Sequence, residues 1–231
     1  MYERASWYGV TAQGDEALTQ YLIDQGLELN LTTFPIEFRR RLGTYFSQRE
    51  KDLLETTYTY VLIDLLQDKG YTNMPDETIR KALDSLFEIT QTNWILEEDT
   101  VPTLRKLEQN GYRMGLISNA GDDKDVQQLV SHVEIAAYFD FILTSASCSY
   151  RKPHPRIFEM AIANWYFHPS ETVMVGDNLD ADIRGAKGAG LYGVWISRRA
   201  GYSNEDQPRV QPDATVSTLA EIPALLDRLQ V

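Results

Sequence analysis

The chain has 231 residues, 43% hydrophobic and 11% aromatic, which excludes a disordered composition and suits one medium domain or a core with a smaller insert. Its formal net charge of −12 excludes nucleic acid and anionic membrane surfaces as principal partners, while a small anion held by local charge remains compatible. A single cysteine, Cys148, excludes an internal disulfide and fits a reducing compartment. No apolar run reaches the roughly 20 residues that span a bilayer, and "MYERASWYGV" reads as neither signal peptide nor basic presequence, so the expected location is the cytoplasm.

Residues 1–92 read as helix after helix. In "GDEALTQYLIDQG", Leu18, Tyr21 and Leu22 recur at helical spacing and Gly26 stands as a C-cap. "SQREKDLLETTYTYVLIDLLQDKG" opens with Ser47 and Glu50 in capping-box spacing, carries one stripe through Leu54, Tyr58, Val61, Leu62, Leu65 and Leu66, and closes on Gly70. "PDETIRKALDSLFEIT" repeats the stripe with Ile79, Leu83, Leu86 and Phe87. The aromatic residues Trp7, Tyr8, Tyr58 and Tyr60 could line the entrance to a site, but packing within this bundle is the preferred reading.

From about residue 93 the texture changes. Short apolar runs at 112–120, 139–147, 172–178, 192–198 and 214–217 read as strands, and 101–110, 123–136, 155–165 and 180–188 as helices. Near-continuous apolar strands alternating with helices indicate a parallel sheet covered on both faces. The expected architecture is α/β: a helical module over 1–92, then a doubly wound core over 93–231.

In such sheets ligands bind beyond the carboxyl ends of the strands. There this chain places Ser118 and Asn119 after "MGLI", Arg151 and Lys152 after "FILTSAS", and Asp177, Asp180 and Asp182 after "VMVG". A hydroxyl beside backbone amides, a cation and a carboxylate cluster on one edge make a phosphate-and-metal site. Asp177 and Asp182 are hard oxygen ligands of the kind Mg²⁺ takes, and Ser118 suits a phosphoryl oxygen. Lys152 supplies a compact positive charge. Each group also has a bland reading: Lys152 as a surface lysine, Asp180 as a helix cap, Asp182 as a helix-dipole partner. Asp122, Asp123 and Asp125 read as caps of the helix after Ser118, and the three histidines lack metal-site spacing.

"LISNA", "YRKPHPRIF" and "VMVGDNLDADIRGAKGAG" resemble, in order and approximate spacing, the second to fourth motifs of the haloacid dehalogenase-like hydrolases. The resemblance covers about residues 93–231, with Gly-Asp-x-x-x-x-Asp its most specific part. The preceding segment resembles the all-helical cap of subclass I members. The resemblance implies a Rossmann-like core and a Mg²⁺-dependent phosphohydrolase working through an aspartyl-phosphate on a small phosphorylated metabolite. It gives Ser118 the phosphoryl group, helped by backbone amides near Asn119 and Ala120, and gives Lys152 the charge on nucleophile and phosphate. Asp177 would bind Mg²⁺, and Asp182 would bind or position it. The family's first motif, an Asp-x-Asp after a central strand, has no counterpart: Asp15, Asp24 and Asp52 lie in helical patterns. The expectation is an N-terminally shortened hydrolase whose nucleophile strand lies upstream of Met1, as monomer or homodimer. The alternatives are a non-catalytic phosphate- or Mg²⁺-binding protein and a C–halogen hydrolase, against which the carboxylates at 177 and 182 count.

Overall fold

The computed structural model describes residues 2–3, 7–198 and 210–229. In chain order the elements are β1 (Tyr2–Glu3), α1 (Trp7–Asp24), α2 (Thr33–Asp52), α3 (Tyr58–Asp68), α4 (Asp76–Gln91) and β2 (Trp94–Ile95). Then come α5 (Thr100–Gln109), β3 (Gly115–Ser118), α6 (Asp123–His132), β4 (Phe141–Thr144), α7 (Ser145–Cys148), α8 (Pro155–Ala163) and β5 (Val173–Gly176). A π-helical turn (Leu179–Arg184), α9 (Gly185–Gly188), β6 (Tyr192–Ile196), β7 (Ala214–Val216) and α10 (Ile222–Leu229) follow. The chain divides into two compact units, Met1–Glu97 with Ala120–His132, and Glu98–Asn119 with Val133–Val231. Among the described residues no helix is long and apolar enough to cross a membrane.

The first unit is a helical bundle. Its stripes face inward as their spacing requires: Leu18 and Leu22, then Val61, Leu62, Leu65 and Leu66, then Ile79, Leu83, Leu86 and Phe87 are all buried in one core. Gly14 lets α1 approach α4 closely, since a Cβ there would stand 3.0 Å from the Leu86 carbonyl oxygen. The helix predicted from Ser47 starts elsewhere. Ser47 lies inside α2, its hydroxyl donating to the Gly43 carbonyl, so the Ser47–Glu50 spacing is no capping box. Left-handed Leu53 ends α2, and the Thr57 hydroxyl accepts the Tyr60 N–H to start α3. Leu54 therefore leaves the stripe and is exposed. Of the aromatic residues, Tyr58 packs against Phe38, Phe46 and Phe87, Trp7 and Tyr60 are exposed but meet Trp94 and Tyr45 edge-on, and Tyr8 is exposed, against the expectation. Arg39, half-buried, forks onto the buried Asp15 carboxylate at 2.7 and 2.6 Å, while burial pushes the Asp15 carboxyl up to about 6 against that attraction.

The second unit is α/β with parallel strands. β3 pairs β4, and β5 pairs β6, which pairs β7, all in parallel. The strands form two ladders rather than one continuous sheet, and among the described residues β3 and β5 each have a partner on one side only. Backbone alternation shows which groups this leaves. The Asp140 N–H donates to the Met114 carbonyl at 2.8 Å, so Gly115 and Ile117 turn their backbone groups away from β4. The Tyr192 N–H donates to the Thr172 carbonyl at 3.1 Å, so Val173 and Val175 turn away from β6. Correspondingly β3 and β5 are half-buried along their whole length, where apolar central strands are expected to be fully covered. The run predicted as a strand to residue 147 turns helical at Ser145, because Thr144 and Ser147 form a reciprocal capping box. The helix predicted over 123–136 ends at His132, and Glu134 is left-handed.

Candidate functional site

The groups after β3, β4 and β5 are fixed by local hydrogen bonding. Ser118 is the last residue of β3, and Gly115 at the start of that strand lies flat under Phe141, whose ring would be 2.2 Å from any Cβ there. Asn119 follows. Its side-chain amide grips the backbone of Lys152 from both sides, Nδ2 donating to the Lys152 carbonyl at 2.8 Å and Oδ1 accepting the Lys152 N–H at 2.7 Å. A carboxamide in this geometry replaces a strand partner, so the loop after α7 is tied to the end of β3. The sequence reading gave Asn119 a backbone role only. Its place directly after an apolar strand marked it as a polar residue at the sheet edge, and nothing local in the sequence marked this side-chain grip. Ala120 comes next and opens the 120–132 segment of the first unit.

Lys152 Nζ donates to the Ile117 carbonyl at 3.0 Å, on the edge of β3 that faces away from β4, and stands 2.7 Å from Asp182 Oδ1. Both side chains are buried, at 10% and 6% exposure, so each charge is the other's principal compensation. Lys152 is thus no surface lysine. Arg151 beside it is buried.

Beyond β5 the chain turns through Asp177 and Asn178 into the π-helical turn. Asn178 is the cap: its Oδ1 accepts from the N–H groups of Asp180 and Ala181 at 3.0 and 2.8 Å. Asp180, expected as the cap, is instead paired with Arg184 one turn on. Asp182 folds back onto the strand end, where its Oδ2 accepts the Asn178 N–H at 3.0 Å. Its carboxylate fills the space beside Gly176, where a Cβ would lie 2.3 Å from Oδ2, so only glycine fits there. The Oδ1 atom is buried and has no hydrogen bond, the Lys152 ammonium being an ion contact rather than an aligned donor. Asp177 is exposed at the tip, its carbonyl accepting from Trp195 Nε1 at 3.0 Å.

The donor set suits a hard divalent cation shared with a bound anion, two carboxylates and one unbonded buried oxygen being what such an ion takes from protein when ligand and water complete its shell. Among the described residues no group of three or more His, Cys, Asp or Glu side chains converges. Two of the three histidines are helix caps: His154 caps α8 and His168 caps the short turn at Pro169–Glu171. Asp122 is the residue that caps α6, through the Asp125 N–H at 3.0 Å. With Asp123 and Asp125 also in that first turn, the helix dipole is already met by carboxylates.

The sequence profile of the haloacid dehalogenase-like hydrolases covers residues 36–196, well over half of the chain. The chain belongs to that family. It is 36% identical over 119 residues to a phosphoserine phosphatase of Thermus thermophilus, an alignment covering 52% of this chain and 46% of that one. It is 31% identical over 127 residues to a glyceraldehyde 3-phosphate phosphatase of Pyrococcus furiosus, covering 54% and 52%. The chain spans about half the length of the curated relatives it matches. Among solved structures it resembles a 2-haloacid dehalogenase from Pseudomonas syringae pv. tomato, with a TM-score of 0.70 and 25% identity over 95% of this chain and 92% of that one. The family's fold agrees with the parallel strands and many helices described above.

Proposed function

We propose that the chain carries the phosphoryl-binding site of a Mg²⁺-dependent phosphatase for small phosphorylated metabolites, with residues 1–92 as a substrate-selecting helical cap and residues 93–231 as the core. The observation that carries this reading is the Lys152 ammonium, held by the Ile117 carbonyl of β3 and by the Asp182 carboxylate beyond β5. It sets a buried positive charge one residue from the Ser118 hydroxyl and against the acidic motif. Two relatives named as phosphatases of small metabolites support the substrate class.

In this reading Ser118 donates to a phosphoryl oxygen and the N–H groups of Asn119 and Ala120 join it. Lys152 neutralises charge on the phosphoryl group, and Asn119 keeps Lys152 in place. Asp177 and Asp182 would hold Mg²⁺, which when bound supplies further neutralisation at the phosphoryl oxygens. By resemblance to the family, a carboxylate would take the phosphoryl group from the ester oxygen, which leaves as the alcohol, and water would then hydrolyse the acyl phosphate to inorganic phosphate and the free carboxylate. A cytoplasmic setting, with no nucleic-acid or membrane partner and a monomeric or homodimeric state, fits the composition and the single, buried cysteine, Cys148.

A second reading is a non-catalytic phosphate- or Mg²⁺-binding protein, favoured by the lack of a third convergent carboxylate among the described residues. A phosphomonoester assay with Mg²⁺ separates the two. Turnover that Lys152→Ala or Asp177→Asn abolishes would establish the phosphatase reading, and saturable phosphate binding without turnover would establish the binding-only reading.

A further inference from the structure

The turn that follows Asn119 is gripped by the helical unit at two points. At the first, the Tyr58 N–H donates to the Gly121 carbonyl at 2.9 Å, and the Tyr58 ring fills the space where a Gly121 Cβ would stand, 2.8 Å away. At the second, Arg80 Nη1 donates to Asp122 Oδ2 at 2.7 Å, and that carboxylate is 5% exposed. The other Asp122 oxygen caps α6. Arg80 is itself oriented by Asp84, which takes its Nε at 3.0 Å and the ammonium of Lys124 at 2.8 Å. Gln91 completes the grip on Asp125 Oδ1 at 2.8 Å. Residues 121–125 are therefore held by the start of α3 and by one face of α4, although they directly follow the end of a sheet strand.

An anion site built from backbone N–H groups is effective when those groups are aimed before the anion arrives. We propose that Arg80 and Tyr58 are positioning residues for the anion-binding turn after Ser118: they touch no ligand and act through Asp122 and Gly121. This role rests on the phosphoryl-site reading above. Arg80 has a second effect of the same sign. It compensates the buried Asp122 carboxylate, which unpaired would place a negative charge beside the turn.

The test uses inorganic phosphate as probe on the 231-residue chain, following backbone amide shifts and hydrogen exchange. Arg80→Gln should weaken phosphate binding roughly tenfold and speed exchange at Gly121 and Asp125. Arg80→Lys should recover part of the affinity. Arg41→Gln, which removes the separate pair with Asp64, controls for the loss of an ion pair in the same unit and should leave phosphate affinity unchanged. Gly121→Ala, which sets a methyl against the Tyr58 ring, should act in the direction of Arg80→Gln and decides the matter if that variant does not fold. If phosphate shifts the Ser118 and Asn119 amides in the unaltered chain yet binds Arg80→Gln and Gly121→Ala equally well, the positioning role is overturned and the site stands. If phosphate shifts none of those amides in the unaltered chain, the site reading fails and this role fails with it.

Discussion

At the scale of single residues, Lys152 and Asp182 form a buried ion pair between the loop after α7 and the turn after β5. Both are buried, each compensates the other, and Asp182 can reach its place only because residue 176 has no side chain. Lys152→Met should destabilise the fold by about 3 kcal/mol, because it leaves a buried carboxylate uncompensated. The double variant Lys152→Met with Asp182→Asn should recover most of that loss, and urea denaturation of the variants reads the coupling. Recovery of less than a quarter would show that the two groups are not each other's compensation. Gly176→Ala should displace the Asp182 carboxylate and lower Mg²⁺-dependent phosphate affinity, while Gly43→Ala, with open space around it, should not. Asn119 belongs at this scale as well. It was legible as a polar residue after a strand, but its grip on the Lys152 backbone joins positions 33 apart in sequence, which no local pattern encodes.

Periodicity determined what could be read at the scale of elements. The stripes of α1, α3 and α4 depend only on spacing within one helix, and their core residues were legible for that reason. The boundary between α2 and α3 was not, because Ser47–Glu50 carries capping-box spacing inside a continuous helix while the working cap is Thr57. Helix α6 makes a prediction of its own. Burial pushes the Asp125 carboxyl up from 3.8 to about 6, with Asp122 raising it further and Gln91 and Arg80 pulling it down. Its folded pKa lies above the unfolded one, so the stabilisation from its proton is complete below about 3.8 and is lost as pH rises to about 6. Asp125→Asn, which keeps an acceptor for Gln91, should therefore stabilise the protein at pH 7.5 by up to about 3 kcal/mol, with the difference vanishing near pH 4. Thermal unfolding at the two pH values checks this. A variant equally destabilised at both would contradict it.

At the scale of the whole molecule, the division of the parallel strands into two ladders was legible only through the family resemblance, whose central strand has no counterpart in this chain, and not from any apolar run. Each strand was legible from its own apolar run, and the α/β class from their alternation with helices. Whether a strand has neighbours on both sides is a non-local property, and it emerges only in the half-burial of β3 and β5 and in the backbone groups of Gly115, Ile117, Val173 and Val175 that point away from their ladders. Half-buried apolar strands with unpaired backbone are costly in isolation. Amides of Gly115, Ile117, Val173 and Val175 should thus exchange at least about tenfold faster than those of Val194 and Trp195 in the centre of β5–β6–β7. Equal protection would mean that the edges are covered within this chain.

Whether the ends of β3 and β5 hold a phosphoryl group decides the function of this chain. The most direct measurement is a titration of the isotope-labelled 231-residue chain with inorganic phosphate and Mg²⁺, read by backbone amide shifts. The predicted result is saturable movement at Ser118, Asn119, Ala120 and Lys152 that disappears in Lys152→Ala. Saturable movement confined to other residues, or unchanged binding in Lys152→Ala, would contradict it.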